Sequence, residues 1–455
     1  MWSKNLFAVI LLILFLADTQ AQDGRDAPVA DQEIASIVKS IARLVRANYV
    51  DEEVGETIAK HLETTQATGV YTGLTYAALG KQLTKDLRAA NGDLHLAAYY
   101  HVPQETPTAS HLDHKFGRYG ETSNYGFVET TVLEPNIGYL KIAHFTNYAY
   151  LSEAKVAVDR SLAILQNVDA LILDVRDNPG GFEDIVAYFV SYFIDGPPVL
   201  LQEYYARNTG RTTSISTTRN APGKKRPDLP LYVLTNEQTG SAAESLAYLL
   251  KHLGRAKIVG DTTAGAGNGA SSYTVAENFM VQIATVETIN QVTKTSWEQV
   301  GVRPTIVAAD EKALDVATNL AITAARQYRT QREQEYRTLL TAMEAALAAE
   351  DKESIVTTLI ACQEVGLLNE QKINSLGYEY LGPKGKVALA QTIFAVNTDL
   401  YPSSPNVFDS YAESLARNGD KKLAIANYAK AVALAREQED PNLELFLNNL
   451  QQARK

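Results

Sequence analysis

The chain has 455 residues, 45% of them hydrophobic and 21% charged, an ordinary globular composition long enough for two to four domains. Its 42 Lys and Arg against 53 Asp and Glu leave a net charge of −11, with no basic surplus to neutralise nucleic-acid phosphates or an anionic membrane. A single cysteine, Cys362, rules out an intramolecular disulfide framework and a cysteine-based zinc cluster, and the seven histidines lack the H-x-x-x-H spacing of a metalloprotease helix.

Residues 1–21 read as a signal peptide. Lys4 is followed by the apolar run Leu6 to Leu16 and by Thr19-Gln20-Ala21 at the cleavage positions. The run is shorter than the ~20 residues a membrane span needs, no later stretch approaches one, and no cysteine follows for lipidation. A secreted or periplasmic chain without a membrane span in its mature form is expected.

Residues 22–103 read as an N-terminal helical domain. Ile34, Ile37, Val38, Ile41, Leu44 and Val45 recur at helical spacing, and further amphipathic stretches lie around Val54 to Leu62 and Ala77 to Leu87. The pattern turns strand-like at Leu94 to Tyr100. Residues 104–125, rich in Pro, Thr, Gly and charge, read as a linker. Residues 126–310 alternate strand and helix: strands at Ile137 to Ile142, Ala170 to Val175, Leu231 to Leu234 and Ala256 to Val259, helices at Leu151 to Leu165, Asp184 to Phe193 and Ala242 to Leu253. That βαβ order predicts an α/β fold, a largely parallel sheet with covering helices, whose chemistry sits at the carboxyl ends of the strands. Residues 311–455 are helical throughout. Phe408, Tyr411, Ala412, Leu415, Gly419, Ala424, Tyr428 and Ala431 fall on tetratricopeptide spacing, with a looser copy one period earlier, so a TPR-like appendage and a protein partner docking on it are expected.

Two constellations carry chemistry. In Leu173-Asp174-Val175-Arg176-Asp177-Asn178-Pro179-Gly180-Gly181 a buried strand runs into a glycine turn opening a helix, which leaves amides free for an anion or oxyanion. The bland alternative is a plain tight turn. In Thr239-Gly240-Ser241-Ala242-Ala243-Glu244 a serine stands between strand and helix. Ser241 with Glu244 also fits a capping box, and alone the cap is the better reading.

Together the two motifs resemble the C-terminal-processing (tail-specific) serine peptidases. Gly138-Tyr139-Leu140-Lys141-Ile142, Val259-Gly260-Asp261-Thr262-Thr263 and Gly301-Val302-Arg303-Pro304 agree in order. The N-terminal helical segment without a PDZ-like insertion is similar to the branch related to interphotoreceptor retinoid-binding protein and the tricorn core protease. The resemblance implies a crotonase-like core, a polypeptide substrate, and neither metal nor organic cofactor. It puts the nucleophile on Ser241 and the oxyanion hole on the amides of Gly180 or Gly181 and of Ala242. The best-known branch uses a lysine base in a Gly-Lys-Gly context, but this chain has Gly265-Ala266-Gly267. The tricorn-like branch instead implies His95, in Gly92-Asp93-Leu94-His95, as base and Glu298, in Trp297-Glu298-Gln299-Val300-Gly301, as the acid orienting it. His101, His111, His114 and His144 compete with His95; His252, at the far end of the serine helix, stands roughly 16 Å away and does not. A serine endopeptidase is therefore the leading expectation, and a non-catalytic module binding a lipid, retinoid or peptide in the same cleft is the alternative.

Overall fold

The computed structural model describes residues 25–101, 121–146, 148–382 and 385–455. The expected signal peptide, most of the expected linker, and His111 and His114 lie outside them. The chain divides into two units, one ending at Arg326 and one beginning at Gln327.

The first unit opens with three helices, α1 (Asp31–Asn48), α2 (Glu52–Ala67) and α3 (Tyr76–Arg88). Asp51 and Thr75 cap the second and third through their side-chain oxygens, as short polar residues do at helix starts. These helices have no core of their own. Ile37, Ile41, Val45, Ile58 and Leu83 share one with Phe279, Val281 and Ile283 of a strand more than 190 residues later. That strand, β10 (Phe279–Asn290), belongs to a five-stranded antiparallel sheet. It pairs with β1 (Ala97–Tyr100) and β5 (Leu200–Ala206) and, on its other edge, with β9 (Gly269–Ala276); β6 (Arg211–Ser216) closes the β5 side.

The second sheet has six strands in the order β11 (Ile306–Val307), β8 (Ala256–Gly260), β7 (Leu231–Thr235), β4 (Ala170–Asp174), β3 (Ile137–Ile142) and β2 (Phe127–Leu133). Every pairing is parallel except β2 with β3. Both β4 and β7 are buried along their whole length, which is why they read as unbroken apolar runs. The covering helices are α4 (Leu151–Ile164), α5 (Glu183–Val190) and α6 (Ala242–His252). The start of α7 (Asp310–Ala349) lays Ala313, Ala317, Ala321 and Ala325 on the sheet residues Ile172, Leu234 and Val259. The four alanines fall at the i, i+4 spacing of one helix face.

The second unit is all helix: the end of α7, then α8 (Lys352–Glu364), α9 (Glu370–Leu381), α10 (Val387–Leu400), α11 (Pro405–Arg417), α12 (Lys421–Glu437) and α13 (Leu443–Arg454). Phe408, Ala412, Leu415, Ala424, Tyr428 and Ala431 form the core of its last three helices, and Gly419 takes a positive φ in the turn joining α11 to α12.

Candidate active site

Strands β4 and β7 are neighbours, so the two sequence motifs leave the same edge of the sheet side by side. Hydrogen bonds lock one turn to the other. Gly240 N–H donates to the Asn178 carbonyl at 2.9 Å, Thr239 Oγ1 to the Val175 carbonyl at 2.9 Å, and Asn236 Nδ2 to Asp177 Oδ1 at 2.9 Å. Asn178 Nδ2 ties the turn to the end of β3 through the Ile142 carbonyl. Beneath it the buried Asp174 accepts from Arg176 Nη2 at 2.6 Å and from the Tyr139 hydroxyl at 2.8 Å. Burial works to raise the Asp174 pKa, but the Arg176 guanidinium outweighs it and holds the carboxylate below its ordinary range.

Ser241 precedes α6 with φ +49° and ψ −118°, a conformation that L-residues avoid and that surrounding structure must impose. The strand–helix turn with a strained serine is the arrangement that exposes a nucleophile at the top of a sheet. Glu244 Oε2 accepts the Ser241 N–H at 2.8 Å, so the cap-forming glutamate is present and removes that amide from further use. The Gly180 amide is likewise spent, donating to Asn178 Oδ1 at 2.8 Å. The amides of Gly181 and Ala242 donate to nothing among the described residues. Glycine is required at 180 for space as well as for its φ of +108°. A Cβ there would lie 2.6 Å from Ser241 Cβ and 2.9 Å from the Ala242 nitrogen, filling the gap between the two turns.

One loop joins this serine helix to the expected acid. Gly265 and Ala266 donate their amides to Glu244 at 2.7 and 2.8 Å, while Gly267 and Asn268 donate theirs to Glu298 Oε2 at 2.7 and 2.9 Å. Trp297 Nε1 donates to the Ala266 carbonyl and fixes the Glu298 backbone against the same loop. Ala266 itself, at the place of the lysine in the best-known branch, offers only a buried methyl.

His95 comes from the turn between α3 and β1. The fully buried Asp93 accepts the His95 N–H at 2.8 Å and the Tyr49 hydroxyl at 2.9 Å, and Arg88 clasps the turn through the Leu94 and Leu96 carbonyls. This brings Asp93, His95 and Glu298 together: one polar atom of each lies within 4.8 Å of the others. His95 Nδ1 and Glu298 Oε1 are both buried without a hydrogen-bond partner among the described residues. Burial lowers the His95 pKa, with Asp93 pulling the other way, which favours the neutral imidazole. Burial, reinforced by Asp93, pushes Glu298 up to about 7.

The remaining described histidines lie elsewhere. His144 follows β3, two strands from β7; His252 packs on Tyr248 at the end of α6; His101 closes β1, its amide bonded to Asn278. Sequence reading missed Tyr49 and Asn178 as supports. Tyr49 stands 44 residues from the Asp93 it holds, and no local pattern connects them.

The strained serine turn thus stands at the carboxyl end of a parallel sheet. Residues 136–308 match peptidase family S41, and residues 29–122 match the N-terminal domain of that family in eukaryotic IRBP; the chain belongs to peptidase family S41. It is 34% identical over 133 residues to the carboxyl-terminal-processing protease of Picosynechococcus, covering 29% of each chain. It is 26% identical over 181 residues to the carboxy-terminal processing protease CtpB of Bacillus subtilis, covering 39% of this chain and 35% of that one. The chain thus spans about a third of the length of the curated relatives it matches. Among crystal structures it is similar to the tricorn protease, at 13% identity and a TM-score of 0.43 over 66% of this chain and 37% of that one.

Proposed function

We propose that the protein is a serine endopeptidase that hydrolyses peptide bonds of polypeptides through Ser241, His95 and Glu298. The observation that carries this reading is the strained Ser241, facing the Gly180-Gly181 turn with the unspent amides of Gly181 and Ala242 beside it. In the reaction the Ser241 hydroxyl attacks the scissile carbonyl as His95 takes its proton. The carbonyl oxygen, now an oxyanion, is held by the Gly181 and Ala242 amides, with the Gly180 turn shaping the hole. The tetrahedral intermediate collapses to an acyl-enzyme as His95 protonates the departing amine, and water completes the cycle by the same steps. Glu298 Oε1 supplies the acceptor for His95 Nδ1–H, fixing the tautomer that leaves Nε2 basic. Both atoms lack a partner among the described residues, the two residues share one cluster, and catalytic hydrogen bonds of this kind tighten on substrate binding.

The reading extends to location and organisation. Residues 1–21 export the chain, which acts in the periplasm or outside the cell, and the TPR-like helices of residues 311–455 hold a protein partner. The test is hydrolysis of unfolded casein and of a peptide library by the full chain and by Ser241→Ala. Loss of cleavage in the variant supports the proposal, and equal cleavage removes Ser241 from the mechanism.

A further inference from the structure

We propose that Asp93, His95 and Glu298 form a binding site for one zinc ion, and that its occupation shuts the peptidase off. The binding half rests on the geometry alone. The inhibitory half rests on the catalytic roles proposed above.

Three donors converge here. One atom from each residue lies within 4.8 Å of the others, and His95 Nδ1 stands 3.9 Å from Asp93 Oδ1. A tetrahedral ion with bonds of about 2.0–2.2 Å to nitrogen and oxygen needs donor separations near 3.3 Å, so closure requires side-chain shifts of roughly 1 Å. Two of the three residues present a buried atom that has no hydrogen-bond partner among the described residues, His95 Nδ1 and Glu298 Oε1. Their other contacts are those of oriented ligands. Glu298 Oε2 is pinned by two backbone amides, and Asp93 is fixed by the Tyr49 hydroxyl and the His95 amide. Such outer contacts hold first ligands in place and prepay part of their ordering.

The donor set and charge point to zinc. An imidazole with two carboxylates suits it, whereas calcium and magnesium take six or more oxygens, and the cluster offers one nitrogen and few oxygens. Two carboxylates held this close repel each other, and a dication cancels both. Arg88, whose charge acts on His95, is engaged with the Leu94 and Leu96 carbonyls. A fourth position remains for water. Inhibition follows from shared atoms: a metal on His95 Nδ1 and Glu298 Oε1 removes the hydrogen bond that orients the base and lowers the basicity of Nε2.

The experiment uses the full chain carrying Ser241→Ala, so that substrate turnover plays no part, and titrates zinc alone against a chromophoric chelator. One ion per chain is expected, with Asp93→Asn, His95→Ala and Glu298→Gln each weakening affinity by about 10–100-fold. The separate pair His61 with Asp86, 3.7 Å apart, supplies the control: His61→Ala is expected to leave the affinity unchanged. Circular dichroism confirms that each variant is folded, and Glu298→Gln, which keeps the shape of the side chain, stands in for any variant that is not. No saturable binding, or binding abolished by His61→Ala and untouched by the three ligand variants, overturns the site. In the wild-type chain, zinc at saturating concentration is expected to abolish cleavage and a chelator to restore it. Stoichiometric binding with undiminished cleavage overturns the inhibitory half. Failure of the peptidase reading itself shows differently, as cleavage indifferent to Ser241→Ala.

Discussion

Replacing Gly180 by alanine tests the proposed oxyanion hole at its tightest point. The added methyl would meet Ser241 Cβ at 2.6 Å, the Gly240 carbonyl oxygen at 2.8 Å and the Ala242 nitrogen at 2.9 Å. Ordinary carbon–carbon contact is about 3.5–4.0 Å, so the serine turn must retreat by roughly 1 Å or the glycine turn must open by as much. Either movement separates the nucleophile from its donors. A misplacement of about 1 Å costs on the order of 100-fold in rate, and loss of one oxyanion donor costs about 100- to 1,000-fold. The effects overlap, because one displacement causes both, so kcat/KM should fall about 1,000-fold, or ~4 kcal/mol of transition-state stabilisation. The backbone adds a cost in stability: φ at residue 180 is +108°, and an L-residue held there costs about 1–3 kcal/mol. Cleavage of an internally quenched peptide gives the first quantity and urea unfolding the second. A folded Gly180→Ala chain that keeps its activity to within about tenfold would refute the assignment of this gap to the oxyanion.

Three further outcomes follow from the same contacts. Arg176→Ala leaves the buried Asp174 carboxylate without its guanidinium and should cost about 3–5 kcal/mol in urea unfolding, far more than a surface pair would. Glu183, on the first turn of α5 and bound by Ser245 Oγ at 2.7 Å, is pushed by burial from 4.5 up to about 8. The native chain then holds a proton that the unfolded chain releases, so this contribution to stability is whole below about pH 4.5 and is lost as pH rises towards about 8. Glu183→Gln should flatten that decline between the two values, and unfolding curves that stay parallel to wild type across the range would reject it. His95→Ala should abolish peptide cleavage in a chain that circular dichroism shows still folded, since its Nδ1 has no hydrogen-bond partner among the described residues to lose.

The parallel sheet was legible because each of its inner strands is buried on both faces. Ala170–Asp174 and Leu231–Thr235 therefore stand out as apolar runs bounded by turns, and their order with the intervening helices implies neighbouring parallel strands. The antiparallel sheet was not. In β6 five of the six residues are exposed, and β9 alternates only between partial burial and exposure, so neither offers the contrast that periodicity needs. Nor could a local pattern show that α1 to α3 complete their core on β10, since the partners are more than 190 residues apart.

The same distinction governs the site. Ser241 and the Gly180-Gly181 turn each end a buried strand, so their meeting is a consequence of β4 lying beside β7; both strands were readable, while the pairing of the two motifs rested on the family resemblance. His95 meets Glu298 for a different reason. Asp93 is held by Tyr49 at the end of α1, β1 is zipped to β10 from Ala97 to Tyr100, and Arg207 of the β5–β6 hairpin donates to the Arg46 and Tyr49 carbonyls. The β1–β10 pairing and the Arg207 contacts run through the antiparallel sheet, most of which the sequence concealed. His95 thus meets Glu298 by contacts outside the sheet that carries Ser241, and its reading rested on one short motif, whereas that of Ser241 rested on two motifs whose strands lie side by side.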